Sequence, residues 1–139
     1  MEGYRHLTPM MIRFADLDRL DHVNNAKYLT YIEQGRIQYV DDLTELSGLS
    51  RLRMIVAKAT IEYKLPLDLK DKQVNVWSRV SRIGTKSFTM EHALLRGSDD
   101  ALAATGEIIV VCYDYDAQQA VPMTPEWRAF ITEYEPGLS

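Results

Sequence analysis

Cysteine is almost missing from this chain: Cys112 stands alone among 139 residues, so no intrachain disulfide can form and a secreted disulfide scaffold is excluded. No apolar run approaches membrane-spanning length, and Met1–Pro9 has no apolar signal core. Both absences predict a cytoplasmic protein with no membrane partner. No Pro-, Gly- or Ser-rich linker and no internal repeat divides the sequence, so a single domain over residues 1–139 is expected. Positive charge is in deficit. The net charge is −4, and even the Arg79–Lys86 stretch holds only three basic residues, which argues against a nucleic-acid partner. His6, His22 and His92 lack metal-ligand spacing, so no metal site is expected. Neither a Gly-rich phosphate loop nor a Gly-x-Ser-x-Gly nucleophile element occurs.

What is present is the material of a folded globular domain, 46% hydrophobic and 26% charged. Met10–Phe14 has the length of a strand. Asp16–Asn25 is a polar loop rich in turn and capping residues, with Asn24 a plausible N-cap. Leu29, Ile32, Tyr39, Leu43 and Leu46 then fall near helical spacing and predict one long helix from about Asn25 to Leu46. Gly35 costs that helix about 1 kcal/mol relative to Ala, so its backbone is expected to lie close against something flat, such as a sheet.

Beyond the helix the period changes to two. Ile55, Ala57, Ala59, Ile61 and Tyr63 alternate with polar residues, as in a half-buried strand. Val74, Val76 and Val80 form the next strand, Ile83–Thr85 a turn, and Phe88, Met90 and Leu94 a third strand. Leu102–Tyr115 reads as a long strand with a bulge plausible at Gly106, and a short helix is expected around Glu126–Tyr134. Short connections imply antiparallel neighbours. The fold class is therefore α+β, a long central helix wrapped by a curved antiparallel sheet. The helix covers one face, and the other must meet solvent or a second subunit.

The chemistry concentrates in Arg13-Phe-Ala-Asp-Leu-Asp18-Arg-Leu-Asp-His22-Val-Asn-Asn25-Ala-Lys-Tyr28-Leu-Thr-Tyr31-Ile-Glu33-Gln-Gly-Arg36. A carboxylate loop there runs into a helix whose first N–H groups have no intrahelical partners and carry partial positive charge. Such an end can stabilise an oxyanion, and a nearby carboxylate can act as general base or nucleophile. The segment resembles the Asp-x-Asp…His-Val-Asn-Asn…Tyr…Glu…Arg motif of the hotdog thioesterases, including the 4-hydroxybenzoyl-CoA thioesterase-like family, and is similar to that of the acyl-ACP thioesterases. Ile61–Tyr63, Pro66-Leu67 and Arg82–Ser87 also look like that family's segments.

The resemblance implies a hotdog fold with five or six strands and hydrolysis of an acyl-CoA or acyl-carrier-protein thioester. It implies no cofactor beyond the CoA carried by the substrate. It also implies a homo-oligomer, dimer or tetramer, with each site at a subunit interface. Asp18 matches the family's loop acid; its alternative is a plain turn-capping role. His22 matches a histidine that orients substrate or shares a proton, or else pins the loop. Asn25 matches the residue whose backbone N–H serves as oxyanion donor. Glu33, two turns along the helix, is the reserve acid, with an ion pair to Arg36 as the alternative. Arg79, Arg82 and Lys86 are candidates for the nucleotide part of CoA, supplied from the partner. Asp16 and Asp21 read as turn or capping residues, and Cys112 as a buried core thiol. Leu20 and Pro66 stand where the plant acyl-ACP enzymes carry catalytic residues, so their full arrangement does not carry over. The rival readings are a non-catalytic acyl-CoA-binding hotdog protein and a hotdog dehydratase or hydratase.

Overall fold

The structure is a computed structural model and describes residues 1–138. Six strands and two helices follow one another as β1 (His6–Met11), α1 (Asn25–Ser47), β2 (Met54–Tyr63), β3 (Gln73–Ile83), β4 (Ser87–Arg96), β5 (Leu102–Asp114), β6 (Gln119–Ala120) and α2 (Pro125–Tyr134). The sheet is antiparallel with strand order β1-β3-β4-β5-β2, and β6 pairs only with β5. This is the expected α+β architecture, a long helix laid against one face of a sheet.

Helix α1 starts where the Asn24 side chain accepts the Ala26 N–H at 2.9 Å, and it stops at Gly48, whose left-handed φ of 71° turns the chain out. Between these caps, Tyr28, Tyr31, Ile32, Gly35, Tyr39, Val40 and Leu43 form the buried stripe. They meet Val74, Val76 and Val80 of β3, Phe88, Met90 and Leu94 of β4, and Ile108 and Val110 of β5 in one apolar core. Gly35 does lie flat on the sheet: a Cβ there would stand 2.7 Å from Val76 Cγ1 and 3.1 Å from Ser78 Oγ. Helix α2 begins at a Thr124 N-cap with Pro125 at its first turn, and Trp127 donates from Nε1 to Ser50 O at 2.8 Å. Behind it, buried Glu135 accepts the Tyr39 hydroxyl at 2.6 Å and the Val80 N–H at 2.9 Å.

Four expectations need correction. The first strand is His6–Met11, not Met10–Phe14, because Arg13 and Asp16 close a reciprocal capping box that winds Phe14–Asp16 into a 3-10 turn. Gly106 is not a bulge. It stays in register with His92 and Ile61, and it is small because a Cβ would meet Ile32 Cδ1 at 2.6 Å. The register breaks lie instead between Val56 and Lys58, between Val80 and Arg82, and between Leu94 and Leu95. Strands β2 and β3 follow each other but are not neighbours: β2 crosses to pair with β5, and fully buried Leu67 anchors the link. Finally, β2 is not half buried. Eight of its ten residues are exposed, since it is the sheet edge and its bulge at Ala57 breaks the alternation.

Candidate active site

The loop ahead of α1 is built around Asp16. Its carboxylate accepts the Tyr31 hydroxyl at 2.8 Å and the Arg13 N–H at 3.0 Å, and its carbonyl accepts the Asn24 N–H at 2.9 Å. Burial alone would raise the Asp16 carboxyl, yet these donors and the Arg13 charge hold it below the usual carboxylate range. Burial first, then the Asp16 carboxylate, keeps the Tyr31 hydroxyl protonated far above ordinary pH. A turn projects from this anchor. Leu17 bridges Val23, the Asp18 N–H donates to His22 O at 2.8 Å, and Asp21 sits at a φ of 61°. The Val23 N–H donates to Leu67 O at 2.7 Å, which fastens the turn to the β2–β3 link.

Asp18 has two distinct oxygens. Oδ1 accepts the Leu20 N–H at 2.8 Å and the His22 N–H at 3.3 Å, while Oδ2 has no hydrogen-bond partner among the described residues. The side chain thus does the turn-capping work expected of an aspartate and still keeps one oxygen available. The His22 ring is exposed and makes no bond among the described residues. Asn25 is the first residue of α1, and its N–H has no partner among the described residues, because the Asn24 side chain takes the next donor along. The Tyr63 hydroxyl donates to Asn25 O at 3.2 Å, and its ring packs edge-on against Tyr28, so β2 ends beside this helix start.

The structure therefore gathers Asp18, His22 and Asn25 at one loop–helix junction. Glu33 lies about 12 Å further along the helix, at ~1.5 Å per residue. It is exposed and makes no ion pair with Arg36. Half-buried Arg36 has its guanidinium acidity increased by burial, with the Glu33 charge opposing the change. Arg79 is committed elsewhere: it donates to Glu91 Oε2 at 2.8 and 2.5 Å, reaches Gly3 O at 3.2 Å and stacks over Tyr4. Arg82 and Lys86 are exposed at the β3–β4 hairpin, the opposite end of β3 from the Asp18 loop. Sequence reasoning missed Tyr31 and Tyr63 as supports. The fifteen-residue separation of Asp16 and Tyr31 across a loop and a helix leaves no local signal of their contact.

Cavities of about 510, 390 and 310 Å3 open on the molecule, and none is lined by Asp18, His22, Asn25 or Glu33. Among the described residues no three His, Cys, Asp or Glu side chains converge as a metal site requires, and no helix is long and apolar enough to cross a membrane. Buried Cys112 has its thiol pushed up by desolvation.

Comparison with known proteins follows this geometry. Residues 12–131 match the thioesterase-like superfamily. The chain is 25% identical over 123 residues to the long-chain acyl-CoA thioesterase FadM of Escherichia coli (strain K12), covering 87% of this chain and 92% of FadM. A thioesterase from Thermus thermophilus, solved with coenzyme A and Zn, is 32% identical with a TM-score of 0.83 over 98% of each chain. The probable thioesterase YbaW from Escherichia coli shares the fold, with a TM-score of 0.79 over 94% of this chain and 99% of its own, at 24% identity.

Proposed function

The chain belongs to the thioesterase-like superfamily, a hotdog-fold hydrolase of acyl thioesters, and from that premise we propose that Asp18 and the Asn25 N–H carry out the hydrolysis of an acyl-CoA. One observation carries the assignment: a carboxylate oxygen and a helix N-terminal N–H, both without partners among the described residues, stand at the two ends of one short turn. The thioester carbonyl oxygen takes its place against the Asn25 N–H, where the partial charge of the helix end favours the developing oxyanion. Asp18 Oδ2 removes a proton from water as the water oxygen bonds to the carbonyl carbon. Collapse of the tetrahedral intermediate then breaks the C–S bond, and the proton held on Asp18 is returned to the departing thiolate. His22, free and exposed beside Asp18, positions the substrate. Glu33 stays the reserve acid.

The substrate class follows from the relatives: FadM acts on long-chain acyl-CoA and the Thermus protein binds coenzyme A. Exposed β2 supplies the reason for a second subunit. Its long unpaired edge, with Ile55, Val56 and Tyr63 uncovered, suits antiparallel self-pairing about a two-fold axis. Such pairing sets the Met54 end of one protomer beside the Tyr63 end of the other, and so brings the partner's hairpin end toward Asp18. Arg82 and Lys86, unpaired among the described residues, are then available to CoA phosphates, while Arg79 remains tied to Glu91. Dimers of this kind leave the outer sheet face free for pairing into tetramers. The lone buried thiol suits a reducing compartment, which supports a cytoplasmic location as part of this proposal.

The decisive measurement is thiol release from acyl-CoAs of graded chain length. Turnover by the wild-type chain, lost in Asp18→Asn and kept in Glu33→Gln, supports the assignment. Loss only in Glu33→Gln transfers the acid role to the helix, and no release from any substrate leaves the chain a silent acyl-CoA binder. Label found in the protein after single turnover in 18O-water would show a nucleophile, because water attack on the Asp18 carbonyl of an anhydride leaves the label in the carboxylate.

A further inference from the structure

The cavity of about 510 Å3 beside β3 has no part in the site described so far. Three stretches of chain wall it: Gly3–Arg5 ahead of β1, Arg79–Ser81 of β3 with Glu91 of β4 beside them, and Glu135–Leu138 beyond α2. The strand lengths explain why it opens there. β1 pairs with β3 only as far as Ser78, so β3 runs on toward Ile83 with no strand against that edge. On this stretch the Val80 N–H is taken by Glu135 Oε2, at 2.9 Å. The volume falls in the range of small-molecule sites, about 300–1,000 Å3.

Glu135 is 4% exposed, and a carboxylate so buried is costly unless its charge is met. Its Oε2 accepts the Tyr39 hydroxyl at 2.6 Å as well as the Val80 N–H, and both donors are neutral. Its Oε1 has no hydrogen-bond partner, and the side chain makes no ion pair, among the described residues. The two arginines of the wall are drawn elsewhere. Arg79 is near enough to feel the Glu135 charge, but its Nε and Nη2 donate to Glu91 Oε2 and its Nη1 to Gly3 O, while its guanidinium lies over Tyr4. Exposed Arg5 donates to Tyr134 O at 2.6 Å and stacks on the Tyr134 ring. Because Arg79 takes only Oε2 of Glu91, Glu91 Oε1 is a second acceptor without a partner among the described residues. Val80, Pro136 and Leu138 supply apolar wall beside these oxygens.

We propose that this cavity binds a small organic cation carrying a primary ammonium group. The ammonium donates to Glu135 Oε1, and its carbon chain lies along Val80, Pro136 and Leu138. A primary ammonium brings three N–H donors together with the opposite charge, whereas an alcohol lacks the charge and a quaternary ammonium lacks the donors. The site is separate from the Asp18 junction. Glu135 is bonded to Tyr39, which stands about 21 Å along α1 from Asn25 at ~1.5 Å per residue. The assignment therefore does not depend on the hydrolase reading above.

Calorimetric titration of the full chain with butylammonium chloride, near neutral pH and at constant ionic strength, should show saturable binding. Titrated in the same way, 1-butanol and tetramethylammonium chloride should bind more weakly by about tenfold or more, the scale of a hydrogen bond to a charged group. Glu135→Gln tests the carboxylate itself. The amide oxygen can still accept from Tyr39 and Val80, while the amide N–H2 takes the place of the free oxygen. Butylammonium affinity of the folded variant should fall by about tenfold or more. A further measurement needs no variant: in 15N-labelled wild type, the Val80 amide signal should move along the same saturation curve, because its proton is held by the carboxylate that receives the cation. Four results would each overturn the site: no saturable binding to the wild type, equal affinity for 1-butanol, undiminished affinity in folded Glu135→Gln, or a Val80 signal that stays still while others move.

Discussion

Asp16 and Asp18 stand two positions apart in one loop, yet only Asp18 has an oxygen to spare. Asp16 is buried and bonded on both oxygens, so its charge organises the loop. Asp18 bonds two N–H groups through Oδ1 alone, and an asparagine can accept the same two bonds without the charge. Asp18→Asn should therefore leave the unfolding midpoint nearly unchanged and lower hydrolysis by about a hundredfold or more. Near-wild-type turnover in the folded variant would reject the acid assignment. His92 offers a test of stability at the same scale. It lies buried with Nδ1 2.9 Å from Ser78 Oγ, and burial, then the Arg36 charge and His6, push its pKa down to about 3. Between the free imidazole value, about 6.5, and that depressed value the unfolded chain binds a proton that the folded chain refuses. Stability contributed by neutral His92 is thus full above about pH 6.5 and falls as pH drops toward 3. Urea denaturation should show about 2 kcal/mol lost between pH 7 and pH 5 from this group, a dependence that His92→Gln should flatten. An equal pH slope in both proteins would place the titration elsewhere.

At the N-terminus of α1 the proposed chemistry depends on backbone geometry. Asn24 has φ −58° and ψ 134°, a conformation compatible with a following proline, and Asn25 is the first helical residue. Asn25→Pro should accordingly keep the fold while deleting the one N–H proposed for the oxyanion, raising the barrier by about 2–4 kcal/mol. Asn25→Ala keeps that N–H and should be far milder; a severe alanine effect with a mild proline effect would move the role to the side chain. Halfway along, Gly35→Ala gains intrinsic helix propensity but drives a Cβ against β-branched Val76. A net loss of about 1–3 kcal/mol is expected in thermal or urea unfolding, relieved in the double variant with Val76→Ala. Both helix features were legible in the sequence: the cap bonds a residue two positions on, and a glycine inside a helical period signals a close approach without saying to which strand. The strands were legible as strands but not as a sheet: nothing local in Ile55–Tyr63 says that it pairs with β5 at an edge. Gly106 shows the same limit from the other side, because the reason for its smallness, Ile32, comes from a distant helix. The site divides the same way. Of the candidate site, Asp18, His22 and Asn25 could be proposed from the sequence because they share one segment, whereas the Asp16–Tyr31 and Tyr63–Asn25 contacts that support it join residues of different elements and carry no motif.

At the scale of the molecule, the isolated chain ends its sheet in a ten-residue edge strand with nothing beyond it. Under the proposed pairing, a second copy along β2 covers that edge and brings the partner's hairpin end toward Asp18. The bulge at Ala57 gives a way to block that pairing without disturbing the sheet within the chain. Ala57 has no Cα partner on β5 and is exposed, and a bulge on an edge strand is a place where proline is tolerated. In a partner's ladder, however, the same proline removes a donor and thrusts a ring into the path of the incoming strand. Ala57→Pro should therefore sediment as a monomer at micromolar concentration, where the wild type sediments as a dimer or tetramer. Its circular dichroism should stay native-like, and its thiol release should fall with the loss of association. Ile55→Lys, which sets an extra charge on the same edge without touching the backbone, should weaken association in the same direction and recover activity as protein concentration rises. A monomeric Ala57→Pro protein with full turnover would mean that each chain completes its own site, and the shared arrangement would have to be given up.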